Sequence, residues 1–236
     1  MTPALAVLVF AAGSSTATDP SPPKKKTTMP NRNSQRRRGS STIEFVLVSS
    51  VFLVPLLLGL FSVGFGLIRD MQGVQLTRDV GHMWARGVDF STQQNQDLLA
   101  NRLAQGLSLV SNSGSVTGGT TGNGVVVLSI FTNIGAGTCN NCNNGGHTVL
   151  VRRIIIGNHA KFTSAYGTPD SSLINQTTGA IANYSTDVSA RADNFNNVMA
   201  MNAGDITYFA ETYFVSPDLA LPGLFPGLAA YSNAVF

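Results

Sequence analysis

Two cysteines, three histidines and a few isolated acids are the residues in this chain that could do chemistry. Cys139 and Cys142 form a C-N-N-C unit. That spacing suits a redox pair, half of a zinc site, or a small local disulfide. Zinc would need about four ligands. His147 and His159 lie within sequence reach, but their spacing from the cysteines is poor for a Cys2His2 site. A thioredoxin-like site would put CxxC at the start of a helix in an α/β unit, whereas this one sits in a Gly- and Asn-rich loop between two expected strands. A haem attachment would need His directly after the second Cys, and Asn143 stands there. Beyond a membrane, in an oxidising compartment, a structural disulfide is the favoured reading. His82 falls beside Trp84 on an expected helix, where packing or surface roles are commoner than catalysis. Asp205 and Glu211 share one strand six residues apart without a supporting signature. Ser and Asp are too frequent for a Ser-His-Asp set to be assigned. The glycine clusters lack the GK[ST] that a phosphate loop requires. Asn175 and Asn183 match glycosylation sequons, NQT and NYS, which arise easily by chance. We therefore expect no enzyme, no cofactor and no metal.

A different kind of chemistry is written earlier in the chain. QRRRGSSTIEFVLVSSVFLVPLLLGLFSVGFGLIRD, residues 35–70, sets three arginines and Gly39 ahead of a long apolar run, with the acid Glu44 at its entrance. No charged side chain occurs from Phe45 to Ile68. As a helix that run reaches about 36 Å, enough to cross a hydrocarbon core of roughly 30 Å. Pro55 should bend it. Gly59, Gly64 and Gly66 offer a small-residue surface for a second helix, or are simply tolerated there.

Charge supports a membrane reading over a nucleic-acid one. Charged residues make up 11% of the chain, against roughly 25% in ordinary soluble domains. Residues 1–39 carry net +6, from seven Lys and Arg against Asp19, while the rest carries −3, from eight Lys and Arg against eleven acids. The basic pI thus belongs to the leader. No basic stripe for nucleic acid lies beyond it. Arg36, Arg37 and Arg38 stay in the cytosol by the positive-inside rule, and residues from about 70 onward are translocated.

A cut at Gly39 would remove the basic leader and keep the apolar run. Ser40 would become the N-terminus and Glu44 the fifth residue, one helical turn away. An unpaired carboxylate costs about 2.5–3.5 kcal/mol at mid-bilayer on insertion scales, and less near an edge. A partner amine on the same or a neighbouring chain would offset that cost and set the stagger between stacked helices. The competing reading is an interfacial Glu facing water and headgroups.

RRRGSSTIEF ahead of a long apolar run resembles the class III cleavage site of type IV prepilins, cut after Gly by a membrane aspartic peptidase. The Glu-Phe pair, Glu44 and Phe45, and the small residues after Gly39 are similar to those of TadE-like proteins, the minor pseudopilins of tight-adherence (Tad) pilus systems. The close match covers about residues 36–70. The tail DITYFAETYFVSPDLALPGLFPGL is loosely similar to the closing strand and Pro-rich end of that family. The resemblance implies cleavage between Gly39 and Ser40, an assembly role for Glu44 and Phe45, and a single-pass inner-membrane protein with a cytoplasmic N-terminus and a periplasmic or extracellular head. The implied partners are the prepilin peptidase, the major Flp-type pilin, other minor pseudopilins and the inner-membrane Tad assembly platform. Two features depart from the family. A 39-residue leader is long, and we favour Met29 as the start, giving MPNRNSQRRRG, over reading MTPALAVLVFAAGSS as a weak signal peptide. Ser41 and Thr42 stand where several members carry Ala.

The elements that must carry these features follow from periodicity. We expect an α+β protein: one long transmembrane and amphipathic helix, then a small antiparallel-sheet head. The divisions are a leader at 1–39, a transmembrane helix at 40–68, an amphipathic helical stalk at 69–110 and an exported head at 111–236. Leu67, Met71 and Val74, and then Val80 and Trp84, keep a spacing of three to four within each set, broken near Gly87, and a second helix is expected over 92–109 through Leu99, Leu103 and Leu107. SNSGSVTGGTTGNG, 111–124, reads as a flexible linker or hairpin loop. Strands are expected at 125–133, 147–158 and 205–216, with loops and a short helix near 190–199 between the last two.

Overall fold

The computed structural model describes residues 36–137, 141–216 and 228–236, with side chains from residue 41 onward and, in the last strand, from Ala229. The chain divides within its first helix into two compact units, Met1–Phe52 and Leu53–Phe236.

Helix α1 is Arg36–Ala85 and carries Pro55 inside it. Pro55 has no N–H to donate to the carbonyl four residues back, and the helix continues through it. Within Leu53–Phe236, α2 is Gln93–Leu98, followed by a π-helical turn, Leu99–Leu103, closed by Ala104 N–H donating to the Leu99 carbonyl at 2.8 Å. The expected helix over 92–109 is therefore shorter. The wide π turn and Gly106 at φ +88° end it.

Five strands follow: β1 (Thr117–Gly119), β2 (Gly124–Asn133), β3 (Thr148–Asn158), β4 (Ile206–Ser216) and β5 (Leu228–Val235). The three strands expected from composition lie within one residue of those positions. The sheet order is β1-β3-β2-β4-β5. Strand β2, GVVVLSIF, is the most continuously apolar and takes the centre, where both faces are covered. The sheet is mixed rather than antiparallel, because β1 pairs with β3 in parallel. The other three pairings are antiparallel. The expected loop at 111–124 is also not a free linker. The side chain of Gln96, fully buried, donates to the Ser115 carbonyl and accepts from the Asn112 and Gly114 amides at 2.9, 3.2 and 3.1 Å. That anchoring brings 117–119 alongside β3.

One sheet face packs on the end of α1. Leu76, Val80 and Trp84, spaced by one turn, join Val126, Leu128, Ile154, Ile156 and Phe214 in a single core. The expected stripe through Leu67, Met71 and Val74 is not part of it. Those three stay 55%, 65% and 40% exposed, and the first large apolar side chain of the helix to be buried is Leu76. Gly81 explains how tightly the helix seats. A Cβ there would overlap the ring of Phe236. Thr77 Oγ1 donates to the Gly73 carbonyl at 2.8 Å and meets Thr212 Oγ1 of β4 at 2.5 Å.

The opposite face carries a second core, in which Phe131 stacks on Phe195 and both meet Phe209 at steeper angles, with ring centroids 4.3–6.1 Å apart. It is covered by the 159–204 excursion, whose only helical pieces are the 3-10 turns Ser171–Leu173, Val188–Ala190 and Asp193–Asn197. The expected short helix near 190–199 is two of these turns. A bulge between Ile130 and Phe131 leaves Val151 without an opposite residue, so that Leu150 pairs with Phe131 and lines this second face.

Candidate functional site

The sequence-derived site lies at the start of α1. Gly39, Ser40, Glu44 and Phe45 all fall in its first turns. Ser40 and Glu44 are one turn apart along its backbone. Glu44 is exposed and Phe45 is 72% exposed. Exposure then persists along the apolar run, Ser62 and Gly66 apart. Eighteen large apolar side chains between Ile43 and Ile68 are at least 41% exposed. The helix from Ser41 is long and apolar enough to cross a membrane. At about 0.3–0.6 kcal/mol in favour of insertion per Leu, Ile, Phe or Val, those residues contribute on the order of 5–11 kcal/mol. Soluble monomers rarely expose so large a contiguous apolar surface. The segment fits a single-pass anchor.

The CNNC unit is only half visible. Cys139 lies outside the described residues, so its expected bridge to Cys142 is not described. Among the described residues no cysteine is free. The chain after Cys142 is held firmly. Asn144, fully buried, donates to the Tyr184 and Asp187 carbonyls at 2.8 and 2.6 Å and accepts from Arg191 Nε at 2.8 Å. His147 Nδ1 lies 2.8 Å from Asp193 Oδ2. His159 instead sits at the end of β3, where its backbone N–H donates to the Gly119 carbonyl. Among the described residues, no three His, Cys, Asp or Glu gather as a metal site.

The structure separates the other candidates. Asp205 holds a turn, its carboxylate accepting the Asn202 amide at 2.7 Å. His82 packs at a tilt of 60° on Phe236, ring centroids 4.6 Å apart. Asn175 and Asn183 are both exposed on turns, and Asn175 Oδ1 accepts the Thr177 and Thr178 amides.

Glu211 has the one environment that composition did not suggest. It is 1% exposed and shares a sheet face with Arg153, 8% exposed, on the far side of β2. Arg153 donates to Ser129 Oγ (3.1 Å), the Gly167 carbonyl (2.8 Å), Ser164 Oγ (3.3 Å) and the Tyr166 carbonyl. Glu211 Oε1 accepts from the Tyr231 hydroxyl at 2.9 Å, while Oε2 has no partner among the described residues. Burial pulls the Arg153 guanidinium down to about 10, opposed by the Glu211 charge, so it remains cationic at neutral pH. Burial pushes the Glu211 carboxyl up, opposed by the nearby Ser164 hydroxyl, the Tyr231 hydrogen bond and the Arg153 charge. Tyr231 is raised as well, by burial first and then by the neighbouring carboxylate. The guanidinium ties the 164–167 loop to the sheet, which gives this centre a structural role.

Its sequence neighbour does something different. Adjacent strand residues point to opposite faces, and Arg152 lies 4.9 Å over the Trp84 ring on the helix side. It also reaches Asp89 Oδ1 at 2.8 Å. Burial alone would raise Asp89, but the Ser91 amide and hydroxyl and the Arg152 guanidinium outweigh it and hold the carboxyl below its usual range.

No family model, curated protein or solved structure matches the chain.

Proposed function

We propose that the chain is a TadE-like minor pseudopilin: a non-enzymatic, single-pass inner-membrane protein that supports assembly of a Tad/Flp-type pilus after prepilin peptidase cuts it between Gly39 and Ser40. The observation that carries this reading is RRRGSSTIEF set directly ahead of an uncharged run. Two structural features support it. Gly39 and Glu44 lie at the start of one helix whose apolar side chains stay exposed as far as Ile68. Beyond Gly73 the same helix seats in an α+β unit. Removing the leader would leave a positive amine on Ser40 and a carboxylate on Glu44 at the membrane entrance, and neighbouring helices would pair amine with acid to fix their stagger. Arg36–Arg38 keep that end cytoplasmic before the cut and the head on the periplasmic or outer side. In that compartment Cys139 and Cys142 close a local disulfide. The major Flp-type pilin, other minor pseudopilins and the Tad assembly platform are the partners, and α1 is the surface they meet.

The test is intact mass and N-terminal sequencing of membrane-extracted protein, with and without Gly39→Leu. A mature chain beginning at Ser40, abolished by Gly39→Leu, supports processing, and loss of pilus assembly in a processed Glu44→Ala variant supports the assembly role. A mature chain that keeps its arginines sinks the pseudopilin reading. It would leave an uncleaved anchored domain whose head has a binding role.

A further inference from the structure

The two edges of the sheet are finished very differently. Along the outer side of β3, Ala192 N–H donates to the Thr148 carbonyl, Ile181 N–H to Val151, Arg153 N–H to Gly179 and Ile155 N–H to Val116, each at 2.8 Å. The Asn112 side chain takes the Gly157 amide and the Ile155 carbonyl. Strand β1 beyond it has only three residues. That edge is blunted in the way natural sheets protect themselves.

Among the described residues, strand β5 has no such protection. It is eight residues long, LAAYSNAV, without a charge or a proline. Its hydrogen-bond parity follows from Tyr208 and Phe236, which exchange both backbone bonds at 3.1 and 2.9 Å. In an antiparallel pair, such doubly bonded positions alternate. The register Ala210↔Ala234, Thr212↔Ser232 and Phe214↔Ala230 therefore turns those β5 residues inward. Ala229, Tyr231, Asn233 and Val235 point their N–H and C=O groups away from the sheet, and no described residue accepts or donates to them. The first three are also exposed as residues. A groove of about 390 Å³ runs beside this edge, walled by Asp70, Gly73 and Val74 of α1 and by Ala229–Ser232.

We infer that β5 is the docking edge for an extended segment of a different polypeptide, which adds as a sixth strand along Ala229–Val235 with one row of side chains in the α1 groove. The chemistry of the walls specifies that segment. The row facing α1 meets Gly73, Val74 and Ala230, which favours apolar side chains. The other row meets Tyr231 and Asn233, which favours polar ones. The Asp70 carboxylate takes part in no hydrogen bond or ion pair among the described residues and favours a basic residue at the adjacent end. Strand addition supplies affinity through the main chain and specificity through alternate side chains.

A second copy of this chain does not fit the edge. Gly73, Thr77 and Gly81 of α1 meet Phe214, Thr212 and Phe236 in turn. Strand β4 therefore runs against the helix and β5 with it. Symmetric β5–β5 pairing would be antiparallel and would point the two anchors in opposite directions. That step rests on the single-pass orientation proposed above, whereas the open edge itself does not.

Amide exchange on the full chain in detergent tests the inference, with a synthetic nonapeptide of alternating Val and Thr and an N-terminal Lys as the probe. The Ala229, Tyr231, Asn233 and Val235 amides should exchange quickly alone and slow by at least about tenfold with the peptide. A peptide N-methylated on alternate residues, on its pairing side, should give no slowing. Asn233→Pro removes an outward N–H together with the side-chain donor to the Tyr231 hydroxyl at 3.2 Å; it should abolish the peptide effect and lower the melt no more than Asn233→Ala, which removes that donor alone. Ser232→Pro breaks an inward bond and should lower the melt. Slow exchange in the chain alone would mean that the edge is already covered, and would overturn the proposal. So would exchange indifferent to millimolar peptide. Protection that grows with protein concentration in the absence of peptide would assign the edge to a second copy instead. None of these outcomes depends on cleavage at Gly39.

Discussion

Replacing Arg153 by Met should be among the most damaging single changes in the head. The guanidinium makes four hydrogen bonds, to Ser129, Ser164, Tyr166 and Gly167, in a site 8% exposed. Methionine fills much of the volume but donates nothing. Two carbonyls of the 164–167 loop lose their donor, and Glu211 loses the cation that opposes its burial. Breaking a buried charge arrangement from one side costs about 3–5 kcal/mol. At about 2–4 °C per kcal/mol for a chain of this size, the melting temperature should fall by roughly 6–20 °C. Adding Glu211→Gln removes the stranded charge and keeps an acceptor for Tyr231. The double variant should therefore recover about 1–2 kcal/mol relative to Arg153→Met alone, a coupling within the usual range for neighbours. Trp84 is the sole tryptophan and is 2% exposed, so its fluorescence in a urea titration reads the transition directly. Strict additivity of the two single changes would refute the argument that the charges sense each other across β2. A loss under about 1 kcal/mol for Arg153→Met would refute the argument that the loop hangs on it.

Other outcomes follow from the same contacts. Glu211 is raised in the folded state by burial. Its contribution to stability is therefore fully present below the unfolded value and is lost as pH rises through the folded one. The head should unfold more easily as pH rises from about 4.5, and Glu211→Gln should flatten that dependence in melts taken across the range. Gly81→Val puts side-chain atoms into the Phe236 ring and should cost about 1–3 kcal/mol. The same change in a Phe236→Ala background should cost measurably less by urea titration. Arg152→Ala removes the cation over Trp84 and the Asp89 contact. With Asp89 half exposed, the expected loss is about 0.5–1 kcal/mol, read as a small change in the urea midpoint with altered Trp84 emission.

Much of the architecture was legible in composition. The uncharged span from Phe45 to Ile68 needs no tertiary context, because length and apolarity alone set what can enter a bilayer. Strands β2, β3 and β4 announced themselves through β-branched and aromatic runs. Strand β5 did not, since LAAYSNAV has weak strand propensity and acquires its state by pairing with β4. Strand β1 was hidden for a similar reason. Thr117–Gly119 pairs only because Gln96 and Asn112 pin the preceding loop, and that dependence spans twenty to forty residues of sequence.

The candidate sites divide along the same line. The string RRRGSSTIEF and its apolar sequel are local features, and the proposed peptidase cut and a bilayer would both act on them locally, so the chain alone specifies them. Arg152 and Arg153 show the opposite case. They are identical neighbours in sequence, yet one lies over Trp84 at the helix side and the other is buried among the loop carbonyls on the far side. No count of charges could assign those roles, because they depend on the pleat, on the bulge at Val151 and on what each face of the sheet meets. The same holds for Glu211, an unremarkable acid in ITYFAETYFVS until β2 and β5 enclose it. Which backbone groups of β5 face outward is likewise a consequence of register, and register exists only once the strands have paired.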